Sequence, residues 1–577
     1  MADLSQQTRR AALAQMVAEP LDVLVIGGGI TGAGIALDAA ARGYRVGLVE
    51  QGDFASGSSS RSTKLIHGGI RYLPQLDIPL VRDALFERGR LLRNAPHLVH
   101  PLAFILPLYA SSRKPAGLPV AVPFGLGLGL ILDLGLTVYD LLAGRHNAGR
   151  HRRIDRQQTL ERARCLIPDG LKTGFLYYDA QTDDARLTVA ILRTAAAHGA
   201  LLANYCTVQG FISNGEHLTG AHVRDGLTAT SSRDWSADCA IYARHIVNAT
   251  GVWAEELEHL AGEKPALQVL PSKGVHLVLP REVLDLGELA VVLPETSDDR
   301  IIFIIPWGAH VLVGTTDAES PNLAPPIATD DEIDYLLEHL NRYVRQTIHR
   351  ADITATYAGY RPLLRLRSGR APSRLSRTHA IVEGSSGLLT ISGGKLTTYR
   401  RMAQDLVDRI DAHTGRQSQH PTQRLKLAGA TGFAEARPAI RERVVRLGLE
   451  PAVATHLEQA YGAEALAVLA LAEATPELAA RLVPNLPYLT AEVVYACQVE
   501  LALTLDDVLA RRTHIAIEDS AHGLGVVYTV ASIMARELGW SDEERARQIA
   551  VYAQCIHEQS SSLTNALRPT SGGPTEK

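Results

Sequence analysis

Residues Leu21 to Glu50, LDVLVIGGGITGAGIALDAAARGYRVGLVE, decide the fold of this 577-residue chain. The apolar run Val23–Ile26 predicts a short buried strand, and a glycine-rich turn of the form G-x-G-x-x-G follows it. A helix-compatible segment then extends to Ala41, and Tyr44–Val49 predicts a second strand. This order of strand, turn, helix and strand predicts a Rossmann-type dinucleotide-binding unit.

Three glycines of this turn have separate physical tasks. Gly27 lets the chain turn tightly, Gly29 lets backbone N–H groups approach a pyrophosphate, and Gly32 lets the helix pack closely on the strand. The helix N-terminus then presents unsatisfied donors and the positive end of its dipole to the phosphates. Together with Gly28 and Thr31, these residues form the predicted cofactor turn.

Glu50 ends the second strand, about 20 residues beyond the turn, where a carboxylate can accept hydrogen bonds from ribose hydroxyls. The same carboxylate would repel a 2′-phosphate, so FAD or NAD is favoured over NADP. A G-x-G-x-x-G motif alone is weak evidence. Here the two strands, the helix and the acidic residue all occur in register with it, which favours a nucleotide site over a simple turn.

Composition narrows the class of protein. Hydrophobic residues make up 46% of the chain and charged residues 21%, as in soluble globular proteins, and the length allows two or three domains. The net charge of −4 argues against nucleic acid as a partner. The five cysteines are scattered, without C-x-x-C or zinc spacing. That pattern favours unpaired thiols in a reducing, cytoplasmic compartment and predicts no metal site.

The loop after the second strand, GDFASGSSSRSTKLIHGGIRY over 52–72, is rich in glycine and small hydroxyl residues. Such residues supply adaptable donors near a flat ring and its phosphates, although this composition alone is more typical of a solvent-exposed loop. A cationic and aromatic cluster directly downstream of a cofactor strand favours a functional loop. The candidate site residues of this loop are Ser62, Lys64, His67, Arg71 and Tyr72.

Three motifs resemble those of a known family: GGGITGAG at 27–34, SSSRSTKLIHGGIRYL at 58–73 and KGVH at 273–276. Through them the chain is similar to the aerobic, FAD-dependent glycerol-3-phosphate dehydrogenases, and the similarity extends from Leu21 to beyond Arg512. The resemblance implies a glutathione-reductase-like FAD-binding domain, a D-amino-acid-oxidase-like substrate domain and FAD as the cofactor.

Two later segments extend the predicted cofactor site. A strand predicted over Ala200–Phe211 is of a kind that often places a backbone group, here Val208, beside adenine. His245–Gly251 predicts another strand, which ends in A-T-G, and its small residues Thr250 and Gly251 let the chain pass close to the dinucleotide. In this order along the chain, both segments support FAD bound within a two-pass nucleotide fold.

The segment LLTISGGKLTTYR, 388–400, predicts an apolar strand, a glycine turn and a helix that begins near Leu396. This geometry would present backbone donors and the positive end of a helix dipole to the flavin. Lys395 adds a cation for a phosphate, and Thr397 adds a hydroxyl. The cofactor ligands predicted here are Gly394, Lys395, Leu396 and Thr397.

His276 and Arg361 each have a structural interpretation and a functional one. A lone histidine in an apolar strand pattern is more often structural than catalytic, but the K-G-x-H resemblance implies that His276 lies over the flavin. Arg361 directly precedes a proline at a predicted strand end, where an isolated arginine is usually solvated. In the family this arginine holds the substrate phosphate through bidentate geometry.

The resemblance implies oxidation of sn-glycerol 3-phosphate to dihydroxyacetone phosphate, with hydride transfer to flavin N5. The candidate residues are Arg361, Lys395 and Thr397 for substrate binding, and His276, Arg71 and Tyr72 for catalysis. His276 is the expected base, because a guanidinium stays protonated and suits electrostatic stabilisation instead. Two alternatives stay open: an oxidase that releases hydrogen peroxide, and a non-catalytic flavoprotein that senses a phosphorylated ligand.

The uncharged stretch Leu118–Leu132 contains prolines and alternating glycines, and Asp133 interrupts it, so it does not predict a membrane span. It predicts either protein core or an apolar surface that dips into one leaflet. The resemblance implies electron transfer to a lipid-soluble quinone and peripheral attachment to the inner (cytoplasmic) membrane. A homodimer stays open.

The predicted fold class is an α/β Rossmann-type FAD-binding domain, an α+β antiparallel-sheet substrate domain and an all-α C-terminal domain. The predicted boundaries are 1–20 for an N-terminal arm, 21–110, 165–262 and 355–415 for FAD binding, 111–164 and 263–354 for substrate binding, 424–557 for the C-terminal helices and 558–577 for a disordered tail. Asp507 and Arg511 have the spacing of an i, i+4 pair or of a domain contact, with a solvated face as the default interpretation.

Overall fold

The computed structural model describes residues 3–73, 75, 77–112, 127–227, 238–265, 267–298, 300–320, 322–366 and 379–565. Of Arg71, Leu366 and residues 561–565 it describes only the backbone. Strands and helices are numbered separately in chain order. The predicted N-terminal arm is the helix α1 (Gln6–Ala18), which begins with a capping box at Ser5.

The first sheet is built on the glycine-rich unit, and its strands lie in the order β17-β18-β10-β1-β2-β7. All neighbours are parallel except β17 and β18. Its strands are β1 (Leu21–Ile26), β2 (Val46–Val49), β7 (Leu201–Ala203), β10 (Asp238–Asn248), β17 (His379–Glu383) and β18 (Leu389–Gly393), with the hairpin β8 (Cys206–Ser213) and β9 (Leu218–Asp225) paired to β10. Helices α6 (Asp184–Ala197) and α10 (Tyr399–Thr414) both pack against α2 (Ile30–Ala41) beside it. The nearly continuous apolar run of β1 is buried, as expected of a central parallel strand.

The second sheet is largely antiparallel, and its strands lie in the order β15-β11-β14-β13-β12-β4-β6-β3, with β16 paired to β11 and β5 to β6. Its strands are β3 (Leu65–Ile66), β4 (Val99–Tyr109), β5 (Arg152–Asp155), β6 (Leu171–Thr182), β11 (Leu267–Pro280), β12 (Ala290–Val292), β13 (Phe303–Trp307), β14 (His310–Gly314), β15 (Ala318–Glu319) and β16 (Ala355–Leu366). The helices of this region are α3 (Ile78–Asn94), α4 (Leu128–Ala143), α5 (Arg156–Arg162), α8 (Arg281–Leu284) and α9 (Asp330–Asn341), while α7 (Ala254–Leu260) contacts strands of both sheets.

Two sequence-based expectations are corrected by this sheet. Strands β4, β6 and β16 belong to it, although the predicted boundaries assigned their residues to the FAD-binding domain. An apolar strand pattern does not encode which sheet the strand joins. The structure also places Arg361 inside β16 rather than at a strand end. Pro362 is tolerated there because, among the described strands, β16 pairs only with β11 and so lies at an edge.

The C-terminal unit is all-α, as predicted, and has its own apolar core. Its helices are α11 (Phe433–Arg446), α12 (Pro451–Tyr461), α13 (Ala465–Ala474), α14 (Thr490–Val499), α15 (Ile515–Glu518), α16 (Val527–Leu538) and α17 (Asp542–Asn565), with a π-helix over Asp507–Arg512. Helix α17 continues to Asn565, so the predicted disordered tail begins too early. The later residues of that predicted tail, 566–577, lie outside the described residues.

Buried ion pairs join the C-terminal unit to the rest of the chain. The Arg186 guanidinium on α6 donates to both carboxylate oxygens of Glu500, each at 2.5 Å. Asp507 and Arg511 pair as their spacing predicts, with Nη2 2.8 Å from Oδ1, and Arg511 also reaches Asp53 across the domain contact. These groups are buried, so the default interpretation of a solvated face is wrong.

Candidate functional site

One cavity of about 600 Å³ connects the glycine turn with the second sheet. Its volume is in the range of small-molecule and cofactor sites. The predicted residues that line it are Gly27, Gly29, Thr31, Glu50, Ser62, His67, Tyr72, Val208, Thr250, Gly251, His276, Arg361, Gly394, Lys395, Leu396 and Thr397. Residues from six separate parts of the chain therefore meet at one site.

The nucleotide end of the cavity has the backbone geometry that the turn predicts. Gly27 has φ +113°, and a Cβ there would lie 2.6 Å from the Ala249 carbonyl oxygen. Gly28 and Gly32 lie behind the cavity surface rather than on it. A Cβ on Gly32 would lie 1.9 Å from the Gly27 carbonyl oxygen, so only glycine allows α2 to approach the turn.

Glu50 holds the turn as well as facing the cavity. Its carboxylate accepts hydrogen bonds from the backbone N–H of Gly28 at 2.6 Å and of Gly52 at 2.8 Å. Burial raises the pKa of Glu50, while those two N–H donors lower it. The geometry fixes the orientation of the carboxylate in the place where ribose hydroxyls are expected.

Serine side chains of the loop after β2 contribute contacts that the sequence-based site did not name. Ser59 Oγ accepts a hydrogen bond from the backbone N–H of Ile30, the first residue of α2, at 2.9 Å. Ser58 Oγ donates to the Tyr360 carbonyl oxygen at 2.5 Å and so ties the loop to β16. Both serines line the cavity. The abundance of small hydroxyl residues in the loop was the signal that pointed to them.

Lys64 is the one predicted cofactor ligand whose side chain turns away from the cavity. Its Nζ lies 2.5 Å from Asp184 Oδ1, and both groups are buried. Asp184 Oδ2 also accepts from the Ser62 backbone N–H at 2.9 Å. Lys64 is therefore a buried counter-ion of Asp184, and the pair helps to fix the conformation of the loop. The sequence did not predict this pair because Asp184 lies far from Lys64 along the chain.

His276 lies at the other end of the cavity and is 2% exposed. Its ring stacks on Tyr357, with centroids 4.7 Å apart and planes inclined by 9°, and its Nε2 lies 3.0 Å from Thr63 Oγ1. Burial, followed by the positive charges of Arg361 and Lys64, holds the pKa of His276 well below its usual range. The imidazole is therefore neutral near pH 7, which is the form that can accept a proton.

Arg361 lies on the same sheet face as His276. It pairs with Ser272 across β11 and β16, and an offset of four residues along a strand returns to the same face. Its Nη2 donates to Thr315 Oγ1 at 2.8 Å, its Nη1 donates to the Thr316 carbonyl oxygen at 3.2 Å, and Asp317 Oδ1 lies 3.5 Å away. These contacts orient a guanidinium that is still 28% exposed, on the cavity lining.

A second cation comes from the turn between β18 and α10. Lys395 Nζ lies 4.0 Å from the centroid of the Tyr72 ring, a cation–π geometry. Thr397 Oγ1 accepts from the backbone N–H of His67 at 3.1 Å and so joins this turn to the loop after β2. The Arg71 side chain lies outside the described residues, so its role stays a prediction.

The observed cavity fits a dinucleotide with a reactive ring. The glycine turn and the N-terminus of α2 form one end of the cavity, the nucleotide cradle, in a backbone conformation that a Cβ on Gly27 or Gly32 would prevent, and Glu50 stands at the ribose position. Beyond them the cavity continues to a neutral, buried histidine and two cations. This arrangement suits a dinucleotide redox cofactor, with two cations near the far end of the cavity.

Comparisons with known proteins agree with this geometry. The family model described as FAD dependent oxidoreductase matches residues 22–400, and the model described as C-terminal domain of alpha-glycerophosphate oxidase matches residues 420–545. The chain therefore belongs to the FAD-dependent oxidoreductases.

Individual relatives define the family of this chain more narrowly. It is 39% identical to a glycerol-3-phosphate dehydrogenase of Mycobacterium leprae over 95% of this chain and 90% of that protein. A mitochondrial glycerol-3-phosphate dehydrogenase of Arabidopsis thaliana is 35% identical over 96% of this chain and 89% of its own length. The structure of a glycerol-3-phosphate dehydrogenase from Bacillus halodurans complexed with FAD has a TM-score of 0.78 and 30% identity, covering 97% of this chain and 99% of its own. The chain is a member of the FAD-dependent glycerol-3-phosphate dehydrogenase family, and the predicted fold class is confirmed.

The contact between Gly32 and Gly27 supplies a first prediction. We expect Gly32→Ala to yield protein without bound flavin, because the new Cβ would collide with backbone rather than with a flexible side chain. Flavin absorbance per mole of purified protein measures this. Gly210→Ala on β8 is the matched control, since nothing lies within 4 Å of a Cβ built there. A wild-type flavin content in Gly32→Ala would contradict the proposed cradle.

Proposed function

We propose that this protein uses FAD to oxidise sn-glycerol 3-phosphate to dihydroxyacetone phosphate and passes the electrons to a quinone at a membrane surface. Its relatives in bacteria and in mitochondria carry the name glycerol-3-phosphate dehydrogenase, which supports the substrate. The observation that carries the proposal is the single cavity that joins the nucleotide cradle to Arg361, Lys395 and the neutral His276.

Oxidation of a secondary alcohol removes a proton from oxygen and a hydride from carbon. FAD, when bound, supplies the two-electron acceptor for the hydride. His276 would take the hydroxyl proton, since its imidazole is neutral and lies on the cavity wall. The stack on Tyr357 and the contact with Thr63 hold the ring in one orientation, so little reorganisation is needed when the substrate binds.

Arg361 and Lys395 would bind the phosphate. A guanidinium suits bidentate contact with phosphate oxygens, and an ammonium acts as a point charge. Binding the dianion would also offset the positive charge of Arg361, one of the groups that hold the pKa of His276 low. Substrate binding would therefore make His276 a stronger base in the complex than in the free protein.

Anaerobic addition of substrate tests the proposal. We expect sn-glycerol 3-phosphate to bleach the oxidised-flavin absorbance of the purified protein, and glycerol at equal concentration to bleach it far more slowly, because the phosphate contacts are missing. Absence of bleaching would support a ligand-sensing flavoprotein instead. Oxygen consumption with stoichiometric hydrogen peroxide, and no faster turnover with a soluble quinone, would support an oxidase.

Helix α4 supports membrane attachment. Leu130, Leu134 and Leu141 are 72%, 64% and 74% exposed, and their spacing puts them within about 40° of one another around the helix. A row of exposed leucines of this kind fits the apolar part of a bilayer interface. Within the described residues, no helix is long and apolar enough to cross a membrane. The other part of the predicted apolar stretch, up to residue 126, lies outside the described residues.

Replacing the three α4 leucines with glutamine gives the second prediction. We expect the affinity for lipid vesicles, measured by sedimentation, to fall by about a hundredfold or more, since burying each leucine contributes about 1.5–3 kcal/mol. Activity with a water-soluble acceptor should persist. The matched control replaces Val445, Tyr528 and Val551, which are 71%, 70% and 53% exposed on the C-terminal unit. Equal vesicle binding by the α4 variant and the control would contradict the proposed role of these leucines in membrane attachment.

A further inference from the structure

The C-terminal unit contributes no residue to the described lining of the cavity. It nevertheless makes a heavily charged contact with the turn that carries Glu50. Asp53 lies in that turn, is 2% exposed, and accepts hydrogen bonds at both carboxylate oxygens from Arg511 and Arg512. A contact between the C-terminal unit and the cofactor turn is therefore built from buried charge.

The geometry of this contact is tightly specified. Arg512 donates to Asp53 from Nη1 at 2.7 Å and from Nη2 at 2.9 Å, a bidentate arrangement, and Arg511 Nε donates at 2.6 Å. Arg512 is in turn held by the Glu500 carbonyl oxygen, at 2.8 Å from Nη2. Asn204 Nδ2 donates to Asp53 Oδ1 at 3.3 Å. Asp53 is thus fixed from several directions.

The same turn is anchored to the nucleotide cradle on its other side. Glu50 accepts from the Gly28 N–H, and the Ala55 N–H donates to the Gly28 carbonyl oxygen at 3.1 Å. Phe54, which is 1% exposed, packs on Gly28, where a Cβ would lie 2.7 Å from its ring. A displacement of Asp53 would therefore move both the ribose-facing carboxylate and the first glycine turn.

Stability alone is a weak reason for such an arrangement. Removing several charges from water costs free energy that their mutual attraction often only offsets, and apolar side chains of similar size frequently stabilise a protein as well. A buried charge cluster does impose one geometry, because a misplaced partner leaves an uncompensated charge. The Asp53 cluster is thus suited to fixing the position of the turn.

We propose that Arg511 and Arg512 are positioning residues for cofactor binding, through which the C-terminal unit holds the Asp53 turn in the conformation that retains FAD. This inference rests on the proposed use of FAD. It gives the C-terminal unit a task in cofactor retention, although the unit does not line the site.

The test measures FAD affinity by titrating FAD into apoprotein and following flavin fluorescence. The main variant, Asp53→Asn with Arg512→Gln, removes one negative and one positive charge, so the buried net charge is unchanged. We expect its FAD Kd to rise by about tenfold or more, because the free energy of one charged hydrogen bond corresponds to a change in Kd of about that size. Arg512→Lys, which keeps the charge and loses the bidentate fork, should raise the Kd less.

The matched control is a different buried contact of the C-terminal unit, made with helix α6 rather than with the Asp53 turn. Arg193 donates to Glu464 and, at 3.0 Å, to the Tyr495 hydroxyl, and it does not contact the cofactor turn. Arg193→Gln with Glu464→Gln should lower Tm with the FAD Kd within about twofold of wild type. Activity per bound flavin should stay at the wild-type level in this control.

Two results would overturn the inference. One is an FAD Kd in both Asp53→Asn/Arg512→Gln and Arg512→Lys within about twofold of wild type. The other is an equal rise in the Arg193/Glu464 control, which would assign the effect to loosened domain packing. If the wild-type apoprotein did not bind FAD, the proposed function and this inference would both be wrong. That outcome can be distinguished from the two results above, in which the wild type binds FAD.

Discussion

His276→Ala is expected to slow anaerobic flavin reduction by sn-glycerol 3-phosphate by about 10²–10⁴-fold, the usual contribution of a general base. The expectation follows from a buried imidazole on the cavity wall, stacked on Tyr357 and kept neutral by burial and nearby cations. Stopped-flow absorbance at saturating substrate measures the step. The flavin content of the variant should equal that of wild type, because the nucleotide cradle is untouched.

The matched control is His310→Ala. His310 is also a buried histidine on this sheet, in strand β14, but it does not line the described cavity. We expect it to reduce flavin at the wild-type rate once folded. Similar rates for the two variants would contradict the assignment of His276 as the base.

The pH dependence supplies an independent readout for His276. The base must be neutral, so activity falls as the pH drops through its pKa, and that pKa lies well below 6.5 in the free protein. The acidic limb of kcat/KM, after correction for titration of the substrate phosphate, should therefore lie below pH 6.5. A limb at or above that pH in wild type would contradict a depressed histidine pKa.

Arg361→Ala should lower kcat/KM for sn-glycerol 3-phosphate by about a hundredfold or more, mostly through KM, because two charge-assisted contacts to the phosphate are lost. The same change should leave the slow reaction of glycerol nearly unaltered, since glycerol has no phosphate to bind. Steady-state kinetics of the wild type and of Arg361→Ala with both substrates form a cycle that isolates the phosphate contact.

Two control variants sharpen this result. Arg361→Lys keeps the charge but loses the fork, so it should fall between wild type and Arg361→Ala. Arg281→Ala removes an arginine that is 26% exposed and bonded to Glu288, away from the described cavity lining. It should leave KM unchanged. An equal proportional loss for glycerol and for its phosphate would contradict the proposed role of Arg361.

Much of the site followed from local sequence, because its physical requirements are local. A glycine that must approach a carbonyl, a helix N-terminus that must face a phosphate, and an acidic residue at the next strand end all occur within Leu21–Glu50. The same holds for the turn into α10, where Lys395 and Thr397 were predicted and are found on the cavity.

Other features depended on residues far apart in the chain and were missed or misplaced. The direction of the Lys64 side chain depends on Asp184, and the burial of Arg511 depends on Asp53. The residues of strand β16 were assigned to the FAD-binding domain, whereas the strand pairs with β11 in the second sheet, because its pattern predicts a strand but not its neighbour.

By itself the sequence predicted a dinucleotide site, since the glycine turn, the helix and the acidic strand end lie within one supersecondary unit. The family, FAD and the candidate catalytic residues followed from the resemblance of its motifs to those of known proteins. Only the tertiary structure decided which of those residues share one cavity and which groups lower the pKa of His276. The physical reason is that burial and electrostatic fields sum over groups that the fold, rather than the order of the chain, brings together.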